Sequence, residues 1–249
     1  MSLRERLGRR EPLLGCFNIE LQGHALAYAL AQSGFDLMIV DCEHSAFGLD
    51  VVGRHVLACR AAGIASVVRV PENSRSAITR VAELSPDGIM FPGVESEEEA
   101  REIVAAAKYA PLGRRGVAPI VEHSALPAGE RYARLNDRLA LVLQIEGTAA
   151  VEAAPAIAAV DGVDALFVGT YDLSQSLGIP GLLDDPRVFE AGRGIVSALP
   201  ATSALGVYVQ TPEMAREWAA AGASLLAYAT DGQIFLAGAR AAAAAAGRV

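Results

Sequence analysis

Apolar residues along this chain fall into short runs, separated by longer stretches in which they recur every three or four positions. The runs have strand length and the stretches have helical period. Residues 13–19 form the first run, and residues 24–32 form a helical stretch that stops at Gly34. A second strand at 35–40 leads into Asp41, Cys42, Glu43 and His44. A helix over 49–62 ends at Gly63, the residue type expected of a left-handed C-cap. The third strand, 65–70, carries Arg69 at its end and is stopped by Pro71. A helix over 76–84 and a short strand at 88–91 follow. The next helix, 96–108, opens on Ser96 with Glu97, Glu98 and Glu99 in its first turn, where acidic groups suit the positive end of the helix.

The alternation pauses at 109–136, which Pro111, Gly113, Gly116, Pro119, Pro127 and Gly129 punctuate. We read it as a long excursion over one face, with room for a short helix. A loop of this length in a compact domain usually serves function or assembly. Strand 139–145, helix 148–160 and strand 165–168 resume the pattern. A small helix near Leu173, a loop with Pro180 and Pro186, and a helix over 188–199 come next. Strand 205–209, helix 212–221 ended by Gly222, strand 224–228 and a very alanine-rich helix over 234–246 complete the chain. Eight strand–helix units in 249 residues predict an α/β protein, a single-domain (β/α)8 or TIM barrel spanning residues 1–249. The competitor is an open doubly wound sheet, but no G-x-G-x-x-G follows the first strand.

Hydrophobic residues make up 52% of the chain and charged residues 20%, enough for a large core and against disorder. The net charge of −8 argues against nucleic acid or an anionic membrane as partner, while leaving room for a small anionic substrate. Three cysteines, with no C-x-x-C spacing, fit a reducing compartment. The charged N-terminus is not followed by an apolar segment of signal-peptide length, so a cytoplasmic location without membrane spans is expected.

In a barrel, the C-terminal ends of the strands form the functional rim. Those ends supply Asp41, Glu43 and His44, then Arg69, Gln144, Glu146, and the turn Gly169, Thr170, Tyr171, Asp172; strands seven and eight add Gln210, Thr230 and Asp231. Glu146 and Asp172 close neighbouring strands and could share a hard divalent cation such as Mg²⁺, which often takes one or two carboxylates. They could equally be ordinary helix-capping acids. His44 suits proton transfer near neutrality, or is simply a solvated histidine; His24 and His55 fall in helices and His123 in the long excursion. Arg69 could grip a carboxylate and steady an enolate oxygen, or pair with a rim acid. Gln144 lies two residues before Glu146 and shares its face. The glycine turn at 169 could free backbone N–H groups for an anion, or satisfy only the turn.

Several segments, in order, make the chain resemble the HpcH/HpaI family of class II, metal-dependent 2-keto-3-deoxy-acid aldolases. They are Gly34-Phe35-Asp36 through Asp41-Cys42-Glu43-His44, Val68-Arg69-Val70-Pro71, Tyr109-Ala110-Pro111-Leu112-Gly113-Arg114-Arg115-Gly116-Val117, Gln144-Ile145-Glu146, and Gly162-Val163-Asp164 through Tyr171-Asp172-Leu173-Ser174. The resemblance implies a divalent cation (Mg²⁺, Mn²⁺ or Co²⁺) held by Glu146 and Asp172, with Asp41 and Glu43 holding its waters. It implies His44 as general acid and base with Glu83 as its partner. Arg69 would bind the keto acid, and Gln144, Gly169, Thr170 and Tyr171 would seat its carboxylate. The implied reaction cleaves a 4-hydroxy-2-oxo acid to pyruvate, or a close 2-keto acid, and an aldehyde through a metal-stabilised enolate. Oxaloacetate decarboxylation, carbon–carbon cleavage of a CoA thioester, and a non-catalytic binding barrel stand as alternatives. The resemblance also implies a homo-oligomer, often a hexamer with exchanged C-terminal helices. The chain departs from the family at Gly169-Thr170-Tyr171, where Gly-Pro-Ala or Gly-Pro-Ser is common, at Glu83 in place of aspartate, and at Cys42, Phe17 and Val209-Gln210-Thr211.

Overall fold

The computed structural model describes residues 1–118 and 126–248, so Pro119 and His123 of the long excursion lie outside the described residues. Eight strands, β1 (Leu13–Asn18), β2 (Leu37–Asp41), β3 (Ala65–Arg69), β4 (Gly88–Phe91), β5 (Ala140–Ile145), β6 (Ala165–Val168), β7 (Ala204–Val209) and β8 (Leu225–Thr230), close into a barrel. Each strand pairs in parallel with the next, and β8 pairs back onto β1. Strands β2, β4, β5, β6 and β7 are buried at every position. This is why they read as unbroken apolar runs: in a parallel barrel one face fills the interior and the other is covered by helices.

The helices are α1 (Leu3–Gly8), α2 (His24–Gln32), α3 (Leu49–Ala62), α4 (Arg75–Ala82), α5 (Glu97–Ala107), α6 (Ala128–Arg138), α7 (Thr148–Ala158), α8 (Thr170–Ser176), α9 (Pro186–Ala198), α10 (Pro212–Ala221) and α11 (Asp231–Ala245). Their ends follow the side chains. The Ser96 hydroxyl accepts from the Glu99 N–H at the start of α5, and Gly63 and Gly222 end α3 and α10 with left-handed backbone.

Helix α1 lies outside the sequence reading, and α6 is the short helix for which the excursion left room, prolonged to Arg138. Helix α1 has only Leu3 and Leu7 to bury, yet both are buried, and Leu3 packs beside Gly88 at the start of β4, closing the bottom of the barrel. Helix α6 fills the second half of the excursion. It is rich in charge, and its inner face is anchored by Asn136, whose amide accepts from the Tyr109 N–H (2.8 Å) and donates to the Tyr109 carbonyl (2.9 Å). A pattern of apolar spacing is weak where a polar side chain does the anchoring. Among the described residues, no helix is long and apolar enough to cross a membrane.

At the mouth, β8 carries one extra residue against β1: Gly15 faces Ala227, but Phe17 faces Thr230. Ala229 absorbs it with a φ of +57°, a bulge that turns Thr230 towards the interior.

Candidate active site

The ionic part of the mouth begins with register. Asp41 and Arg69 are direct neighbours across the β2–β3 pair, because both are last in their strands. Arg69 therefore donates twice into the same carboxylate, from Nε to Oδ1 at 2.9 Å and from Nη2 to Oδ2 at 2.6 Å. Asp41 also accepts the Glu43 N–H at 2.8 Å. Asp41 is completely buried and Arg69 is 6% exposed. Both carboxylate oxygens are thus committed to holding the guanidinium and the following turn. The remaining guanidinium nitrogen, Nη1, lies 3.1 Å from Glu43 Oε2 and 3.5 Å from Gln144 Oε1, and the guanidinium carbon stands 4.9 Å from the centre of the Phe17 ring. Arg69 is a fixed positive charge on the cavity wall.

Opposite it stand the two carboxylates at the ends of β5 and β6. Glu146 accepts from the Gly93 N–H at Oε2 (2.8 Å) and from the Gln144 amide at Oε1 (2.9 Å). Gly93 takes a φ of +60°, which favours glycine. Gly169 is required for a reason that its turn alone does not reveal: a Cβ there would sit 2.4 Å from Glu146 Oε1. Asp172 lies in the first turn of α8. The Glu146 carboxyl is pushed up to about 7, first by removal from water and then by the negative charge of Asp172. The Glu43 carboxyl is likewise raised, chiefly by burial, against the opposing pull of Arg69.

A cavity of about 210 Å³ is lined by His44, Arg69, Gln144, Glu146, Gly169, Thr170, Tyr171 and Asp172 together with Phe17, Tyr208 and Thr230. A second hollow on the other side of Glu146 and Asp172 is lined by Gly93, Glu95, Gly147 and Ser176. The carboxylate pair is therefore reached from two sides. Among the described residues, no group of three or more His, Cys, Asp or Glu side chains is set to hold a metal. Two carboxylates that repel each other, flanked by space, nonetheless suit a hard cation whose other positions go to water and substrate oxygens.

The candidate residues part company at three places. His44 lines the cavity with its ring Nε2 3.8 Å from Glu43 Oε2, but Glu83 is not its partner within this chain. Helix α4 runs back down the outside of the barrel, and Glu83 caps its far end, where it meets Arg115 at 2.9 Å. Arg115 in turn stacks on Tyr109, 4.6 Å from the ring centre. Thr170 is buried, and its hydroxyl donates to the Tyr208 carbonyl at 3.4 Å rather than into the cavity. Asp231 accepts the Asn18 amide (2.7 Å) and the N–H groups of Ile19 (3.0 Å) and Leu21 (2.7 Å), so it fixes the loop after β1 rather than facing substrate. Tyr208, by contrast, lines the cavity without any sequence signal to mark it. It sits inside the apolar run of β7, and a single aromatic there reads as core.

A family model described as HpcH/HpaI aldolase/citrate lyase matches residues 14–237. A 2-keto-3-deoxy-L-rhamnonate aldolase of Klebsiella pneumoniae subsp. pneumoniae is 35% identical over 215 residues, covering 84% of this chain and 80% of that protein. The solved structure of an HpcH/HpaI aldolase from Desulfitobacterium hafniense DCB-2 matches with a TM-score of 0.92 at 30% identity, over 100% of this chain and 98% of that one. That of the citrate synthase SbnG matches at 0.86 and 28% identity, over 100% and 99%.

Proposed function

The chain belongs to the HpcH/HpaI aldolase/citrate lyase family, and from that premise we propose that it is a divalent-metal-dependent aldolase. Its reaction is the reversible cleavage of a 4-hydroxy-2-oxo acid to pyruvate, or a close 2-keto acid, and an aldehyde. The observation that carries this reading is the meeting, in one cavity, of a clamped arginine, a histidine and a mutually repelling carboxylate pair. Glu146 and Asp172 are the residues that would hold the cation. When bound, such a cation supplies Lewis-acid polarisation of a keto oxygen.

The chain's own groups account for the rest. Arg69 presents its charge where an oxyanion develops, already oriented by Asp41, so little reorganisation is needed during the reaction. Gln144 bridges the two charged sides, with its carbonyl towards Arg69 and its amide on Glu146. His44 takes the proton from the C4 hydroxyl as the C3–C4 bond breaks and the electron pair passes into the enolate of the keto acid. A proton returned to C3 completes pyruvate. Phe17 and Phe167 line the same cavity and give it an apolar floor. A homo-oligomer in a reducing cytoplasm is part of the same reading, and the three free thiols Cys16, Cys42 and Cys59 fit it.

The test is pyruvate release from a panel of 4-hydroxy-2-oxo acids, including 2-keto-3-deoxy-L-rhamnonate, with and without EDTA. Release that survives complete metal removal sinks the metal-dependent mechanism. Faster turnover of oxaloacetate or of a CoA thioester than of any hydroxy-oxo acid favours the second reading, to which the match with a citrate synthase lends support.

A further inference from the structure

One wall of the cavity carries no charge, and its hydrogen bonds run in one direction. The direction is set at the start of α11. The Gln233 side-chain carbonyl accepts the Thr230 N–H at 2.9 Å while the Thr230 hydroxyl accepts the Gln233 N–H, a reciprocal cap that fixes which end of the Gln233 amide faces the mouth. The Tyr208 hydroxyl lies 2.9 Å from that same carbonyl, so it donates its only hydrogen there. Its oxygen is left to accept, and the Gln210 amide nitrogen stands 3.3 Å away to supply the bond. The same nitrogen lies 2.6 Å from the Tyr171 hydroxyl. Both Gln210 amide hydrogens are then spent, and Tyr171 receives one of them. The hydrogen of Tyr171 has no acceptor left in this chain of bonds, and the residue lines the cavity at its outer edge, 48% exposed. Packing holds the ring in place, with its centre 5.7 Å from that of Tyr208.

We propose that Tyr171 is a specificity-determining hydrogen-bond donor, aimed by Gln210, Tyr208 and Gln233, that selects acceptor aldehydes bearing a hydroxyl group next to the carbonyl. The inference rests on the aldolase reading above. Placement supports the aldehyde rather than the keto acid as its target. The charged groups that suit a carboxylate and keto oxygen gather on the opposite wall at Arg69 and Glu146, bridged by the Gln144 amide, whereas the Tyr171 hydroxyl stands at the rim beside Gln210.

The experiment compares glycolaldehyde with propionaldehyde, which has the same number of heavy atoms, in condensation with pyruvate and a divalent cation. Tyr171→Phe keeps the ring and removes the donor. The ratio of kcat/KM for glycolaldehyde over propionaldehyde is expected to fall by roughly tenfold, the value of one net hydrogen bond. Gln210→Glu keeps the side-chain shape and makes it an acceptor at neutral pH, so Tyr171 turns its hydrogen onto the carboxylate and the ratio falls although the hydroxyl remains. An unchanged ratio in Tyr171→Phe overturns the proposal, as does a higher KM for pyruvate with the ratio intact. A full ratio in Gln210→Glu overturns the relay. No condensation of either aldehyde by the wild-type protein overturns the aldolase reading, a result separate from an active wild type whose variants keep its preference.

Discussion

The two sides of the barrel mouth are made of different materials. On the side of β2, β3, β5 and β6, four carboxylates (Asp41, Glu43, Glu146 and Asp172) stand against one guanidinium, that of Arg69. On the side of β7, β8 and α11, the polar groups facing the cavity are hydroxyls and amides, linked from Thr230 through Gln233, Tyr208 and Gln210 to Tyr171, while the Asp231 carboxylate is spent on the loop after β1. The charged side has a surplus of negative charge that a proton on Glu146 or an added cation can offset, and the raised Glu146 carboxyl reflects it. The neutral side is self-satisfied and leaves one donor over. Charge here is suited to binding and activating a substrate, and direction is suited to choosing one.

The contrast breaks most easily at Glu146. Glu146→Ala removes one of the two carboxylates facing the cation, so metal binding should disappear and turnover should fall on the order of 10³-fold or more. Calorimetric titration with Mg²⁺ or Mn²⁺ checks it, and equal affinity in the variant and wild type refutes the assignment. The same contrast predicts unequal costs in stability. Asp41→Ala leaves a buried guanidinium without its bidentate partner and should destabilise the fold by about 3–5 kcal/mol. Tyr208→Phe removes one neutral hydroxyl with its two hydrogen bonds and should cost about 1–2 kcal/mol. Denaturant midpoints of similar size for the two would show that the walls do not differ as described.

Much of the ionic wall was legible in the sequence because a strand buried on both faces takes its charged and amide residues at its C-terminal end. Asp41, Arg69, Gln144 and Glu146 all mark such ends. Their pairing was not legible. Asp41 holds Arg69 because β2 and β3 align those two residues, and register is a property of two strands that spacing along one does not carry. Glu83 failed as a partner for His44 within the chain because α4 carries it to the other end of the barrel. The neutral wall was hardest to read. Tyr208 lies in an apolar run, Gln233 in an alanine-rich helix, and the relay exists only once β7, β8 and α8 are brought together. The role of Gly169 was hidden similarly, since what it avoids is a side chain from another strand.

His44, in the turn after β2, separates binding from chemistry. It lines the cavity and touches Glu43, not Glu146. His44→Ala should therefore keep metal affinity and lower kcat by about 10²-fold, the loss of one positioned acid–base group. Loss of metal binding in this variant would move His44 into the ionic wall and blur the division.

The smallest expected effect concerns protons. Glu146 ordinarily titrates near 4.5 and in the folded protein near 7, so without a cation the fold binds this proton more tightly than the unfolded chain does. The stability it contributes is fully present below about 4.5 and is lost as pH climbs through about 7. A cation requires the ionised carboxylate and must displace the proton. Metal binding near pH 6 should thus release close to one proton, and near pH 8 almost none, with apparent affinity rising between them. Calorimetry in buffers of different ionisation enthalpy measures the release directly. The neutral wall supplies the control, since Tyr208→Phe removes no charge and should leave the proton count as it was. Equal release at both pH values, or a count altered by Tyr208→Phe, would mean that the cation meets some group other than Glu146.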